Sequence, residues 1–167
     1  MLIAVDTNVL LDRATDDADV MDALATIRAR LKAAEFIVTP TVLEELAKLS
    51  EAGNPEQIFA ARRTLTCLLE WGFKPVDLTP AGHGIVEQIG ISFRRKGVLP
   101  DEEVDDGLII AEAALLGCQI LLSADSHFSD AQKHPSFRSV LKDSEADGDE
   151  LVIATPRHIV RTFFRSK

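Results

Sequence analysis

Two carboxylates stand where a short apolar run ends, and such positions are favourable for chemistry. Asp6 follows Leu2–Val5, and Asp125 follows Ile120–Leu122 after a Ser-Ala pair. Short apolar runs of this kind predict buried strands of a parallel sheet. Ligands of such sheets bind beyond the carboxyl ends of the strands. We therefore expect both carboxylates to project at one edge of the sheet.

Two further carboxylates lie near the N-terminal ends of predicted helices. Glu45 lies about one and a half turns into a helix that opens at Thr39-Pro40, and Asp106 lies in the first turn of a helix that precedes the Ile120 run. Four converging carboxylates repel one another unless protons or cations relieve the repulsion. Mg²⁺ and Mn²⁺ prefer carboxylate and water oxygens. The set therefore predicts a divalent-metal site that activates water and stabilises a phosphoryl oxygen, which is the chemistry of phosphodiester hydrolysis.

Each carboxylate also has a simpler interpretation when it is taken alone. Asp6 and Asp125 could cap turns or helices. Glu45 could be a solvated helix residue beside Glu44, and Asp106 could be a first-turn acid favoured by the helix dipole. The prediction of a metal site depends on the four positions together.

The elements that would position these acids alternate along the chain as strand and helix. Strands are predicted at Leu2–Val5, Phe36–Val38, near Val76, at Ile120–Leu122 and at Leu151–Ile153. Helices are predicted after Asp6-Thr7-Asn8, over Val20–Leu31, from Pro40 to Leu49, from about Glu56 to Trp71, from Pro80 to Gly97, from Asp106 to a Gly117 C-cap, and after Thr155-Pro156. A polar, acidic loop is predicted from Ser144 to Glu150. This alternation predicts an α/β fold in which helices cover both faces of a parallel sheet.

The bulk composition fits one soluble domain over residues 1–167. The chain is 46% hydrophobic and carries 27 acidic and 18 basic residues, a net charge of -9. This balance argues against a general nucleic-acid coat protein but not against a nuclease with an acidic metal site. Cys67 and Cys118 lie in apolar stretches and are predicted to be core residues, not zinc ligands. With neither a signal peptide nor a membrane-length apolar run, a cytoplasmic location and no membrane contact are expected.

Four segments resemble the sequence motifs of PIN-domain nucleases, in the family's order and spacing. They are Leu2-Ile3-Ala4-Val5-Asp6-Thr7-Asn8-Val9-Leu10-Leu11, Val38-Thr39-Pro40-Thr41-Val42-Leu43-Glu44-Glu45-Leu46, Asp106-Gly107-Leu108-Ile109-Ile110-Ala111-Glu112-Ala113 and Leu121-Leu122-Ser123-Ala124-Asp125-Ser126-His127-Phe128. In the second motif a Ser or Thr precedes the metal-site Glu by six residues, which selects Glu45 over Glu44. The resemblance extends from Leu2 to about Ile153.

The resemblance implies a three-layer α/β/α fold with a parallel sheet of about five strands in the order 3-2-1-4-5. Strands 1 and 4 are neighbours in that order, so Asp6 and Asp125 are expected side by side. It further implies Mg²⁺- or Mn²⁺-dependent ribonuclease activity, with Asn8 and Ser123 supporting the metal ligands by hydrogen bonds. VapC-type toxins, each held inactive by a small antitoxin protein, are one group in this family. A homodimer is suggested by the resemblance alone.

Two positions leave the ligand set open. Many relatives carry a second Asp just before the Phe of the fourth motif, where this chain has His127; that histidine could replace a weak ligand, contact phosphate, or be an exposed loop residue. Asp105 adjoins Asp106 and is the alternative third ligand, although the register to Gly117 favours Asp106.

The densest basic run, Arg94-Arg95-Lys96, is the candidate contact for the phosphate backbone of RNA. The leading interpretation is a metal-dependent endoribonuclease, with a toxin and another RNA-processing enzyme as equal alternatives. The second interpretation is a catalytically silent binding module that kept the fold. Such a module is expected to lack some of the acids, and this chain has all four.

Overall fold

Five short strands form one all-parallel sheet in the order β3-β2-β1-β4-β5, which confirms the predicted order. The computed structural model describes residues 1–31, 33–144 and 150–164. The strands are β1 Leu2–Val5, β2 Glu35–Val38, β3 Phe73–Pro75, β4 Ile120–Leu122 and β5 Val152–Ala154. Consecutive residues Ile3, Ala4 and Val5 are all buried although their side chains point to opposite faces. Both faces of the sheet are therefore covered, as the three-layer fold requires.

The covering layers are helical. In the described ranges the helices are α1 Thr7–Ala14, α2 Ala18–Arg30, α3 Pro40–Ala52, α4 Pro55–Cys67, α5 Pro80–Arg95, α6 Val104–Leu115, α7 Ser126–Lys133, α8 Phe137–Asp143 and α9 Pro156–Phe164. Helix α3 packs on α4 and α6, α5 packs on α6, and α9 packs on α2. None of the helices in the described ranges has the length and apolar character needed to cross a membrane.

The register of the two central strands sets up one edge of the sheet. Val5 of β1 pairs with Leu122 of β4, and the Asp6 amide then donates to the Leu122 carbonyl at 3.0 Å. Each strand leads into a helix whose N-cap is an aspartate: Asp6 directly after β1 for α1, and Asp125 two residues further on after β4 for α7. The carboxyl ends of β1 and β4 thus deliver two carboxylates to the same edge.

The end of α4 and the start of α6 are two of the helix boundaries that differ from the prediction. Helix α4 ends at Cys67 and not at Trp71, because the chain reverses through Gly72 (φ 81°) into β3. Helix α6 begins at Val104 and not at Asp106, with Glu103 as its N-cap. Asp106 still lies in the first turn of α6, as predicted.

Gly117 ends α6 as predicted, one position beyond the C-cap residue Leu116. Its φ is 70°, and its amide donates to the Ala114 carbonyl while the Cys118 amide donates to Ala113. This pair of bonds is a Schellman motif, in which a left-handed glycine is favoured. Cys118 is buried as predicted, whereas Cys67 is only half-buried.

Helices α7 and α8 were not predicted, because each presents only a few apolar residues. Phe128 of α7 and Phe137 of α8 are fully buried, and the Phe137 ring stacks on Phe93 of α5 with 5.6 Å between centroids. The strand predicted at Leu151–Ile153 is observed one residue later. Residues 145–149 of the predicted acidic loop lie outside the described residues.

Candidate metal centre

The carboxylates of Asp6, Glu45, Asp106 and Asp125 line one open cleft of about 340 Å³ at the carboxyl edge of the sheet. They come from four elements: the N-caps of α1 and α7, the second turn of α3 and the first turn of α6. The cleft is completed by Thr7, Asn8, Leu11, Lys48, Leu49 and Phe128. The structure therefore brings together all four acids that were predicted as metal ligands.

Asp6 is the most buried of the four, with 3% of its surface exposed. Its Oδ1 accepts a hydrogen bond from the Thr7 amide at 2.7 Å. Its Oδ2 accepts from Asn8 Nδ2 at 2.6 Å and from Ser123 Oγ at 2.7 Å. These three bonds hold the carboxylate in one orientation at the floor of the cleft.

Asn8 and Ser123 also tie the loop after β4 to helix α1. Asn8 Oδ1 accepts from the Ala124 amide at 3.1 Å, and Ser123 Oγ accepts from the Asp125 amide at 3.0 Å. The Asp125 carboxylate caps α7 by accepting from the His127 amide at 2.8 Å. Both residues predicted to support the ligands thus contact the acids or the loop that carries them.

Glu45 enters the cleft and Glu44 faces solvent. The Thr7 hydroxyl donates a close hydrogen bond to Glu45 Oε2, which couples α3 to α1. Successive helix residues point in directions about 100° apart, so only one of two adjacent glutamates can face the cleft. The geometry selects the same glutamate as the spacing from Thr39.

Glu112 fixes the two helices that carry Glu45 and Asp106 against each other. Its buried carboxylate, on α6, accepts from the Thr41 amide at 3.2 Å and from the Thr41 hydroxyl at 2.7 Å. The Thr39 N-cap of α3 makes no side-chain cap bond, so Glu112 satisfies one of the free amides in the first turn of α3 from another helix. Sequence reasoning did not assign Glu112 this role.

Asp106 lines the cleft, whereas Asp105 does not. The Asp106 side chain is only 15% exposed, and its Oδ2 is buried without a hydrogen-bond partner among the described residues. A buried carboxylate oxygen that lacks a donor is costly unless a proton or a cation satisfies it. Asp105 still affects the cleft electrostatically: its negative charge raises the pKa of Glu45.

The cleft favours protonated or cation-bound carboxylates. Burial, and after it the negative charges of four neighbouring carboxylates, raises the pKa of Asp106 to about 8. Burial also raises the pKa of Asp6 to about 6, against the hydrogen bonds from Ser123 and Thr7, which lower it. Carboxylate oxygens under this repulsion, with one buried oxygen unsatisfied, fit the oxygen ligands that a hard divalent cation takes.

Two further side chains that could ligate a metal, His127 and Glu103, lie at the rim of the cleft, and the sequence analysis missed Glu103. His127, the alternative ligand of the fourth motif, places Nδ1 3.2 Å from Glu103 Oε1, 3.9 Å from Asp106 Oδ2 and 3.8 Å from Asp125 Oδ1. Glu103 was not a candidate in the sequence analysis. Its spacing of three residues before Asp106 at a helix start is the signal that could have found it, since such residues share a helix face.

Lys48 is the only cationic residue among the described residues that line the cleft. It lies three residues after Glu45 on α3, so the same helix face presents both side chains. Its ammonium lowers the pKa of Glu45, although burial dominates and leaves that pKa raised. Sequence reasoning missed Lys48 because an isolated lysine among acids is ordinary on a helix surface.

The predicted basic run is not part of the cleft lining. Arg94, Arg95 and Lys96 lie at the C-terminal end of α5, where Lys96 Nζ pairs with Asp143 at 3.2 Å. Arg94 is half-buried and Arg95 is exposed. Their contact with nucleic acid stays a prediction.

Comparisons with known proteins agree with this fold. The sequence model of the PIN domain matches residues 3–134. VapBC2 from Rickettsia felis, solved bound to a DNA fragment from its promoter, has a chain that matches with a TM-score of 0.60 at 14% identity, over 93% of this chain and 98% of that chain. FitAcB from Neisseria gonorrhoeae matches with a TM-score of 0.58 at 16% identity, over 93% and 99% of the two chains. A structure of FitAB bound to an IR36 DNA fragment matches with a TM-score of 0.55 at 17% identity, over 93% and 96%. No curated protein matched in a sequence comparison.

Proposed function

The chain belongs to the PIN domain family, and from this premise we propose that it is an endoribonuclease that depends on Mg²⁺ or Mn²⁺. The observation that carries the proposal is the convergence of Asp6, Glu45, Asp106 and Asp125 on one cleft, where one oxygen of Asp106 is buried without a partner among the described residues. We further infer that residues 1–167 form one domain, since β5 completes the sheet and α9 packs on α2.

The four carboxylates would hold the cation. When bound, a divalent cation supplies Lewis-acid chemistry: it lowers the pKa of a coordinated water and stabilises negative charge on a phosphoryl oxygen. The residues around the ligands keep them in place. Ser123 and Asn8 orient Asp6, and the Thr7 hydroxyl orients Glu45. Such supporting hydrogen bonds fix the orientation of a metal ligand.

An RNA substrate is a polyanion, and this protein has a net charge of -9, so the two repel each other overall. Local cations have to receive the phosphate backbone of such a substrate. Lys48 provides one inside the cleft, and the exposed end of the Arg94-Arg95-Lys96 run provides others outside it. We assign Lys48 to the phosphate next to the scissile bond and the basic run to the flanking strand. RNA as the substrate rests on the family resemblance.

A small protein partner is the second part of the proposal. The likeness to VapC-type toxins supports a role as the toxin of a toxin–antitoxin pair, held inactive by a small antitoxin, with another RNA-processing role as the alternative. A homodimer is proposed on the same ground. If the gene beside this one encodes a small protein that co-purifies and suppresses cleavage, the toxin assignment gains direct support; if no such protein exists, the RNA-processing role replaces it.

A cleavage assay tests the nuclease directly. Purified protein is expected to cleave RNA in Mg²⁺ or Mn²⁺ and to stop in chelator. Asp6→Asn and Asp125→Asn should each abolish cleavage, whereas Asp22→Asn, at an exposed position on α2, should retain it. Circular dichroism must show that all variants are folded. Cleavage that survives both site substitutions contradicts the four-carboxylate mechanism. Absence of cleavage of RNA and single-stranded DNA in every metal favours the silent binding module.

A further inference from the structure

We propose that Glu103, Asp106 and His127 form a second cation subsite at the rim of the cleft, which takes a first-row transition cation such as Mn²⁺ in preference to Mg²⁺. The proposal rests on the proposed metal-dependent function and specifies which cation that function uses. It assigns a ligand role to Glu103, and it makes His127 a nitrogen ligand.

The three donor atoms are already within reach of one cation. One donor atom from each of Glu103, Asp106 and His127 lies within 4.8 Å of the other two. His127 Nδ1 lies 3.2 Å from Glu103 Oε1 and 3.9 Å from Asp106 Oδ2. Ligands of one cation that each bind at about 2.0–2.3 Å have to lie at separations of this order.

Two observations separate this group from a chance cluster of surface acids. Asp106 Oδ2 is buried and has no hydrogen-bond partner among the described residues. A bound cation would satisfy this oxygen in place of a hydrogen-bond donor. Glu103 occupies the N-cap of α6 without making a side-chain cap bond there. Its carboxylate instead faces His127 across the rim, where it is available to a cation.

The chemistry of the donors sets the preference for the metal. Mg²⁺ is a hard cation that takes oxygen ligands and keeps several waters. Imidazole nitrogen suits first-row transition metals, and carboxylates suit Mn²⁺ as well as Mg²⁺. A site with two carboxylates and one imidazole therefore discriminates against Mg²⁺ more than an all-carboxylate site does.

A pure ion pair between His127 and Glu103 is the competing explanation. The imidazole is 47% exposed, and an exposed pair of this kind contributes little to stability. An ion pair requires a protonated imidazole, whereas a ligand requires a free ring nitrogen. The two explanations therefore differ in whether the nitrogen contacts a bound metal.

The deciding experiment is pulsed electron paramagnetic resonance of Mn²⁺ bound to the full chain, which detects hyperfine coupling to a ligand nitrogen. The wild-type protein should show the imidazole coupling. His127→Ala should lose it and should bind Mn²⁺ about ten- to a hundredfold more weakly at that subsite in a titration. His158→Ala, which removes an exposed histidine on α9, should change neither measurement.

Two more variants test the ligand set and the preference. Glu103→Gln should weaken Mn²⁺ binding at the same subsite, whereas Glu102→Gln, at the exposed neighbour, should not. His127→Asp should restore an all-oxygen site, lose the nitrogen coupling and reduce the ratio of Mn²⁺ to Mg²⁺ affinity about tenfold or more. Bound Mn²⁺ without nitrogen coupling would overturn the proposal, and so would an unchanged Mn²⁺ affinity in His127→Ala.

The outcomes distinguish this proposal from the nuclease itself. Metal-dependent RNA cleavage by a protein whose Mn²⁺ shows no nitrogen coupling leaves the nuclease standing and overturns the subsite. Nitrogen-coordinated Mn²⁺ on a protein that cleaves no nucleic acid supports the subsite and overturns the nuclease. A wild-type protein that binds no Mn²⁺ overturns the subsite, and it overturns the nuclease as well only if no RNA is cleaved in Mg²⁺ either.

Discussion

Ser123 Oγ donates a 2.7 Å hydrogen bond to Asp6 Oδ2 and thereby joins residues 117 positions apart in the chain. The same oxygen accepts from the Asp125 amide at 3.0 Å. One buried hydroxyl thus contacts both the aspartate after β1 and the backbone of the aspartate after β4. The spacing between these two carboxylates depends on a residue that is itself no ligand.

Ser123→Ala is expected to weaken metal binding about ten- to a hundredfold while the protein stays folded. The substitution removes the donor to Asp6 and leaves the Asp125 amide unpaired, which costs about 1–3 kcal/mol of stability. Metal titration by calorimetry and a thermal melt measure the two effects. Ser139→Ala, at an exposed position on α8, is the control. Unchanged metal affinity in Ser123→Ala would show that the hydroxyl does not position the site.

Asp106→Asn and Asp105→Asn are expected to separate the two candidates for the third ligand. Asp106 lines the cleft, so its substitution should abolish metal-dependent cleavage. Asp105 does not line the cleft and raises the pKa of Glu45 through its charge, so its substitution should change the rate by less than about tenfold. Single-turnover cleavage at saturating metal gives the comparison. The reverse order of effects would transfer the ligand role to Asp105.

The metal-free protein is expected to lose stability as pH rises from about 4 to about 8. The folded protein keeps the Asp106 proton until its pKa of about 8, while the unfolded chain releases it near the ordinary value of 3.8. The unfolded state therefore binds fewer protons in this window, and the free energy of unfolding falls with rising pH. Asp6, with a pKa of about 6, contributes in the same direction over the lower part of the window.

Thermal melts in chelator across this pH range test the expectation. The wild-type melting temperature should fall toward pH 8, and Asp106→Asn should show a flatter dependence and a higher melting temperature at that pH. Added metal should reverse the loss at pH 8, by about 2.7 kcal/mol at a concentration a hundredfold above its Kd. A wild-type melting temperature that rises with pH in chelator would contradict the raised pKa of these acids.

Lys48→Ala is expected to raise KM for RNA and to leave kcat nearly unchanged. A lysine on a substrate phosphate contributes to binding in the ground state and transition state alike. The slope of log affinity against log salt concentration should fall by about one. Lys142→Ala, an exposed lysine on α8, should change neither quantity. A large loss of kcat with constant KM would instead place Lys48 at the reacting atoms.

Glu112→Leu is expected to lower the free energy of unfolding by about 1–3 kcal/mol, because the Thr41 amide and hydroxyl lose their acceptor. It should also reduce cleavage, since Glu45 and Asp106 lie on the two helices that this contact joins. Glu112→Gln keeps an acceptor oxygen and should recover most of both losses. Denaturant unfolding and cleavage rates measured on the same samples separate stability from positioning. Equal cleavage rates in Leu and Gln variants would contradict the positioning role.

Local sequence determined the strands, most helices and the edge at which the acids appear. Apolar runs of strand length, a Pro at the first helical position and a left-handed glycine after α6 act over a few residues, so they can be recognised without the fold. The family resemblance added the strand order, the choice of Glu45 over Glu44 and the choice of Asp106 over Asp105. The structure confirmed the strand order and placed the four acids on one cleft.

Only the tertiary structure decided which side chains meet across the cleft. Ser123 reaches Asp6, Glu112 reaches Thr41, and His127 reaches Glu103, and each pair joins separate elements of the fold. Such contacts depend on the register of β1 against β4 and on the packing of α6 against α3, which no local pattern encodes. The raised pKa of Asp106 is likewise a tertiary property, because desolvation and repulsion act through space and appear only after folding has gathered the charges.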